Sequence, residues 1–437
     1  MLLSISAIPL ALYIHIPWCV KKCPYCDFNS HELGASLDNA AMYSAYVDAL
    51  LADASAQIPW LQGRSIGSVF IGGGTPSLLP IAEYQRLFQG LRERLPFVAD
   101  CEVTMEANPG TLEHAPFAEY LEVGINRLSI GVQSFDSAQL TTLGRIHDPQ
   151  QARTAIGQAR QAGFTRVNVD LMHGLPTQNS TQALYDIQQA HDAGATHISW
   201  YQLTVEPNTV FYRNAPLLPD EDALADIEEA GQARLQQLGY RRYEVSAWAG
   251  AHDRECQHNV NYWQFGDYLA IGAGAHGKIS LGTDAYLESA VGLAGYDTAA
   301  LGPQIARFSK SRLPKDYLDQ DKWQVANTLT NRATETAGQY EKSTATVLSP
   351  TLLYPKTVGF EAITQDQLPA EFMLNALRLE GGVTWQAFVE RTGLPKATIE
   401  PQVAALIAQG LLTEDTERLL TTDKGRRYLN QVLYAFL

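Results

Sequence analysis

Three cysteines, Cys19, Cys23 and Cys26, stand close together in a C-x3-C-x2-C pattern. Thiolates so near one another hold metal ions or iron–sulfur clusters, and a cubane held by three cysteines leaves its fourth iron open to a further ligand. A zinc site completed by His15, Asp27 or His31 is compatible with the same residues, and so is a redox disulfide between Cys23 and Cys26. Structural zinc sites usually consist of two separated ligand pairs, and no second pair follows in this chain. Further candidate groups are Glu106, Gln133 and Asp170, together with the run Gly72-Gly73-Gly74-Thr75-Pro76. Carboxylates there could pair with a cation or accept hydrogen bonds.

These residues need elements to bring them together. The cysteines follow directly on an apolar, strand-like run, and strand signals recur at 67–71, 102–107, 126–131, 166–171 and 197–203, separated by helical patterns at 38–57, 79–95, 112–123, 136–144, 149–162 and 181–193. Strands alternating with helices predict βα units and a parallel sheet. Right-handed crossovers curl such units into a barrel, and six instead of eight predict an open, partial (β/α)6 barrel of the TIM type. In that architecture a site forms at the carboxyl ends of the strands. The cysteine loop follows the first strand and the triple glycine the second; Glu106, Gln133 and Asp170 fall at the ends of the next three.

Bulk composition agrees with a packed protein of several domains: 437 residues, 46% of them hydrophobic. The net charge of −15 argues against general nucleic-acid binding. The apolar start lacks a basic segment, contains Pro9 and Pro17 and runs straight into the cysteine loop, so it reads as strand and not as a signal peptide. No run is long enough to span a membrane, and five cysteines with three clustered suit a reducing compartment, cytoplasmic or organelle-matrix, with the cytoplasm expected. The pattern divides the chain into a barrel at 1–250, an extension at 251–310, an irregular insertion or linker at 311–364, and a mostly helical carboxyl-terminal domain at 365–437. The last contains helix, two short strands with a turn, and helix, which resembles a winged helix. The acidic balance points to packing or interaction for that domain in place of DNA binding.

The motifs YIHIPWCVKKCPYCDF, IGGGTP, GVQSF, GR-x-H, DLMHGLP and HN-x-x-YW, in that order, resemble the oxygen-independent coproporphyrinogen III oxidase-like group of the radical S-adenosylmethionine superfamily. The resemblance implies a [4Fe–4S] cluster on Cys19, Cys23 and Cys26, its open iron chelated by S-adenosylmethionine. It also implies cofactor contacts at Tyr13, Gly73, Gly74, Thr75, Glu106, Gln133, Arg145 and Asp170. The oxidases of the group carry a fourth cysteine two residues after the third, where this chain has Phe28, and a longer segment before the motif. Both departures resemble the HemW-type branch of heme chaperones, which implies heme as ligand, acceptor hemoproteins such as respiratory ones, some of them membrane-associated, and a homodimer. The alternative it leaves open is radical decarboxylation of coproporphyrinogen propionates. In that branch the HN-x-x-YW segment, residues 258–263, implies His258 as a heme ligand, with His276 and His147 as rivals.

Overall fold

The apolar run Leu10–Ile16 forms β1, buried almost throughout on both faces, as expected of a parallel strand covered on each side. It is followed by β2 (Ile66–Gly73), β3 (Phe97–Ala107), β4 (Arg127–Gln133), β5 (Val167–His173) and β6 (His197–Gln202). These six strands pair in chain order and all in parallel. Helices Asn39–Ala56, Ile81–Arg94, Phe117–Val123, Pro149–Gln161 and Ser180–Asp192 lie between them. Two of these begin in reciprocal capping boxes, Asp148 with Gln151 and Asn179 with Gln182, which satisfy otherwise free backbone N–H groups. The computed structural model describes residues 3–34, 39–111, 117–282, 304–319 and 356–437, so the start of the expected helix at 112–123 and most of the 311–364 stretch lie outside the described residues.

The sheet extends past both barrel edges. Beyond β6 come the short antiparallel strands β7 (Arg241–Arg242) and β8 (Ala247–Ala249). On the other side β9 (Asp267–Ile271) lies parallel to β1, and β10 (His276–Leu281), β11 (Gln304–Lys310) and β12 (Thr357–Ile363) continue antiparallel. Among the described residues the result is one twelve-stranded sheet in the order β12-β11-β10-β9-β1-β2-β3-β4-β5-β6-β8-β7. The barrel is open, because β1 and β6 each pair outward with a different strand. Two details depart from the sequence expectation. Part of the 311–364 stretch, β12, is an edge strand whose exposed residues hide a simple apolar signal. Asp170 is the fourth residue of β5 and not its last, and it reaches the interior because it shares a face with Asn168, two residues earlier.

The main core lies between the sheet and its helices, built on residues such as Leu12, Ile14, Val69, Ile130 and Val169. A second core belongs to the carboxyl-terminal part, with Phe372, Phe388, Val403 and Leu419 at its centre, and it takes in Phe265 and Ile305 from the sheet extension. Helices Leu368–Ala376, Trp385–Thr392 and Glu400–Ala408 surround it, and short pairings of Val383–Thr384 with Arg418–Leu419 and of Leu412 with Thr421 form the expected wing. No helix among the described residues is long and apolar enough to cross a membrane.

Candidate functional site

The cysteine loop is anchored to the glycine loop by backbone. Gly74 N–H donates to Ile16 O at 2.7 Å and Thr75 N–H to Trp18 O at 2.7 Å. A Cβ on Gly74 would stand 2.4 Å from Trp18 O, and one on Gly73, whose φ is +116°, would strike the His15 ring at 2.6 Å. Glycine is therefore required for the two loops to meet. Within the cysteine loop Cys26 N–H donates to Cys23 O at 3.1 Å, and Lys22 Nζ donates to Phe28 O at 2.9 Å. His15 is held at both ring nitrogens, Nδ1 by Tyr13 OH at 3.0 Å and Nε2 by Asn29 O at 2.8 Å.

Each thiol has a polar neighbour. Thr75 Oγ1 donates to Cys19 Sγ at 3.6 Å, Arg145 Nη1 to Cys23 Sγ at 3.6 Å, and Ser30 Oγ lies 3.9 Å from Cys26 Sγ. Burial pushes the Cys19 and Cys26 thiols up from their ordinary range, so binding a metal cluster there would displace protons. Across the cavity Glu106 Oε2 accepts from Gly73 N–H at 3.2 Å. Burial, with Asp170 adding repulsion, raises the Glu106 carboxyl to about 8. Asp170 is held by Ser129 Oγ at 3.0 Å and Asn168 Nδ2 at 2.8 Å, and burial raises its pKa too. Gln133 has a left-handed backbone, φ +71°, and its Oε1 accepts from Tyr201 OH at 2.9 Å. The Nε of Arg145 is buried without a hydrogen-bond partner.

One cavity of about 310 Å³ is lined by Cys19, Cys23, Cys26, Gly73, Gly74, Thr75, Glu106, Gln133, Arg145 and Asp170. The three cysteines and all the implied cofactor contacts except Tyr13 therefore meet there, toward the carboxyl ends of the strands, while the candidate histidines His15, His31, His147, His258 and His276 do not line it. Tyr13 lines an adjoining cavity of about 600 Å³ that shares Gly73, Glu106 and Phe28 with the first. His258 lines neither; it is 2% exposed, and its ring stacks on Phe70 at 5.0 Å and on Tyr13 at 6.4 Å. Burial lowers its pKa to about 3, leaving a neutral ring with both nitrogens unpartnered. His147 is buried with Nε2 3.2 Å from Val132 O, tied to β4. A cavity of about 510 Å³ at the opposite strand ends, lined by Leu10, Ser68 and Asn261 among others, contains none of the candidates.

The residues fit the cofactors that the sequence implies. Among the described residues no three His, Cys, Asp or Glu side chains converge to chelate one metal ion. The three thiols border one cavity, where a cluster held by three cysteines would sit. Two half-buried carboxyls, which an ammonium would draw into their ionised form, and a half-buried arginine with an unpartnered Nε–H can pair with both ends of an amino acid, and the glycines allow it close to the backbone. Sequence reasoning missed Tyr201, Ser129 and Asn168, which orient Gln133 and Asp170. Their inward position on alternating strand residues was the available signal. It also missed Tyr268 and Arg312 in the larger cavity, for which the sequence carries no local signal.

Residues 13–190 match the radical SAM superfamily and residues 363–428 the HemN C-terminal domain. A coproporphyrinogen III oxidase structure from Escherichia coli, described as a radical SAM enzyme, aligns over 98% of this chain and 90% of its own with a TM-score of 0.71 at 22% identity, a likeness of fold. Fold and matches together define a radical SAM protein with a partial barrel and a HemN-type carboxyl-terminal domain. A heme chaperone HemW of Escherichia coli K12 is 43% identical over 98% of both chains, and one from Haemophilus influenzae is 40% identical over the same shares. The chain belongs to the HemW heme chaperone family.

Proposed function

We propose that this protein holds a [4Fe–4S] cluster on Cys19, Cys23 and Cys26 with S-adenosylmethionine beside it, takes up heme, and delivers it to acceptor hemoproteins. The supporting observation is the convergence of ten candidate residues on one cavity that opens into a larger, aromatic one. Glu106 and Asp170 would take the cofactor's ammonium and ribose hydroxyls, and Arg145 its carboxylate. Gly73 and Gly74 let backbone groups approach, while Thr75 and Gln133 offer hydrogen bonds and Tyr13 closes the side toward the larger cavity. When bound, the cluster and sulfonium supply one-electron reductive chemistry, while the chain positions and shields them. Phe28 is 63% exposed at the mouth where the oxidases of the resemblance place a fourth cysteine, which favours heme handling over porphyrinogen oxidation. Respiratory hemoproteins, including membrane-associated ones, are the proposed acceptors, and a cytoplasmic homodimer the proposed working state.

Anaerobically reconstituted protein should show a saturable Soret change at micromolar heme and no decarboxylated product from coproporphyrinogen III with S-adenosylmethionine and a reductant. Absence of the Soret change would remove the chaperone reading, and product formation would replace it with the oxidase one.

A further inference from the structure

The HN-x-x-YW motif places its histidine out of reach of a flat macrocycle. His258 lies behind Tyr13 and Phe70 and packs edge-on against Tyr262 at 4.8 Å. A porphyrin could bring iron to its nitrogens only by separating β1 and β2 from the helix Gln257–Trp263. The same motif does reach the 600 Å³ cavity, through Tyr262, whose ring lies 4.3 Å from that of Tyr268. A cavity of that size lies within the range of about 300–1,000 Å³ typical for small-molecule sites.

Two histidines line this cavity, His15 and His276. His15 is 4% exposed and has both nitrogens committed to Tyr13 and Asn29. His276 opens β10 with its side chain exposed, and no hydrogen bond engages its ring among the described residues. Arg312, also exposed, stands on the same wall, with its carbonyl held by Asn29 Nδ2 at 2.9 Å. The cavity thus combines a free imidazole, an aromatic wall of Tyr13, Tyr262 and Tyr268, and a cation. Heme presents the complementary set: an iron that accepts an imidazole, a flat apolar ring, and carboxylate side chains.

We propose that heme is bound in this cavity with His276 as the axial ligand of its iron and Arg312 as partner of a propionate. The proposal rests on the heme-carrying reading above. His258 is then packing behind Tyr262 and not a ligand. Because Gly73 and Glu106 line both cavities, heme would lie against the S-adenosylmethionine site.

The test is an anaerobic heme titration of the full chain followed by optical and EPR spectroscopy. The unaltered protein should give an imidazole-ligated spectrum. His276→Ala, at an exposed position, should lose that signature and weaken binding about tenfold or more, and added free imidazole should restore the band. Arg312→Gln should weaken binding about threefold without moving the band. His258→Phe, which keeps the stack on Phe70, should retain the imidazole signature. A His276→Ala protein that keeps the unaltered spectrum overturns the assignment, whatever His258→Phe does. No saturable heme band in the unaltered protein would instead refute the heme reading itself, a result visible before any variant is made.

Discussion

At the scale of single residues the site depends on groups that folding places in unfavourable surroundings. Gln133 is in the left-handed region, which costs a non-glycine residue about 1–3 kcal/mol and is characteristic of positions where side-chain direction matters. Glu106 is lifted from its ordinary value of 4.5 to about 8 by burial first and by Asp170 second. In the cofactor-free protein the folded state therefore binds a proton that the unfolded chain has already released between those values. The sign follows from this difference: the stabilisation is complete below about pH 4.5 and is lost as the pH rises through 8. Glu106→Gln, which remains neutral, should flatten the fall in stability over this window. Urea denaturation of both proteins at pH 5 to 9 checks this, and parallel curves would refute it. S-adenosylmethionine should favour the ionised carboxylate, so its affinity for the unaltered protein should rise toward pH 8.

At the scale of elements, precision comes from close approach. The helix Glu221–Gln237 packs through Gly231 against Trp200 of β6, where an added Cβ would fall 2.0 Å from the indole. The indole is 4% exposed and has little room to move. Gly231→Ala should therefore destabilise the protein by about 1–3 kcal/mol through overpacking. Gly157 in the helix Pro149–Gln161 has nothing within 4 Å of an added Cβ, so Gly157→Ala should stabilise it by about 0.5–1 kcal/mol through helix propensity. Thermal unfolding of both variants decides the matter: the same substitution should shift Tm in opposite directions. Ser134 and Phe135, the end of the GVQSF motif, illustrate another element-scale device. Asp186 on the helix Ser180–Asp192 accepts from Ser134 Oγ at 2.8 Å and from Phe135 N–H at 2.6 Å, fixing the loop after β4.

At the scale of the whole molecule the sheet extension is joined to the barrel by buried polar contacts. Lys310 Nζ at the end of β11 donates to Asp53 Oδ1 at 2.6 Å and to Thr357 Oγ1 at 3.1 Å, and Tyr317 OH donates to Asp53 Oδ2 at 2.7 Å. Lys310 and Asp53 are both fully buried. Removing one partner leaves an uncompensated charge in the interior, so Asp53→Ala should cost about 3–5 kcal/mol. Because β10 carries His276 and pairs along its length with β11, the variant should also weaken heme binding. Chemical denaturation combined with heme titration measures both; an unchanged midpoint would mean that the network does not join the two parts.

Local patterning determined much of this protein. The six parallel strands, their helices and the winged carboxyl-terminal part follow from apolar runs, caps and turn residues that act over a few positions. The three cysteines and the glycine run are legible because their chemistry needs a fixed spacing along the chain. Glu106 and Gln133 were legible because strand ends converge in a parallel barrel. What the chain order could not decide is how distant segments meet. The position of β9 beside β1, the edge strand β12 and the wall made by Tyr268 and Arg312 depend on pairings across large sequence separations, which no local period encodes. At His258 the packing of Phe70, Tyr13 and Tyr262 encloses the ring, while His276 faces the cavity, a difference in exposure that motif spacing does not encode. Residue type and spacing specify the chemistry a chain can carry out, whereas tertiary packing determines which side chain is exposed to perform it.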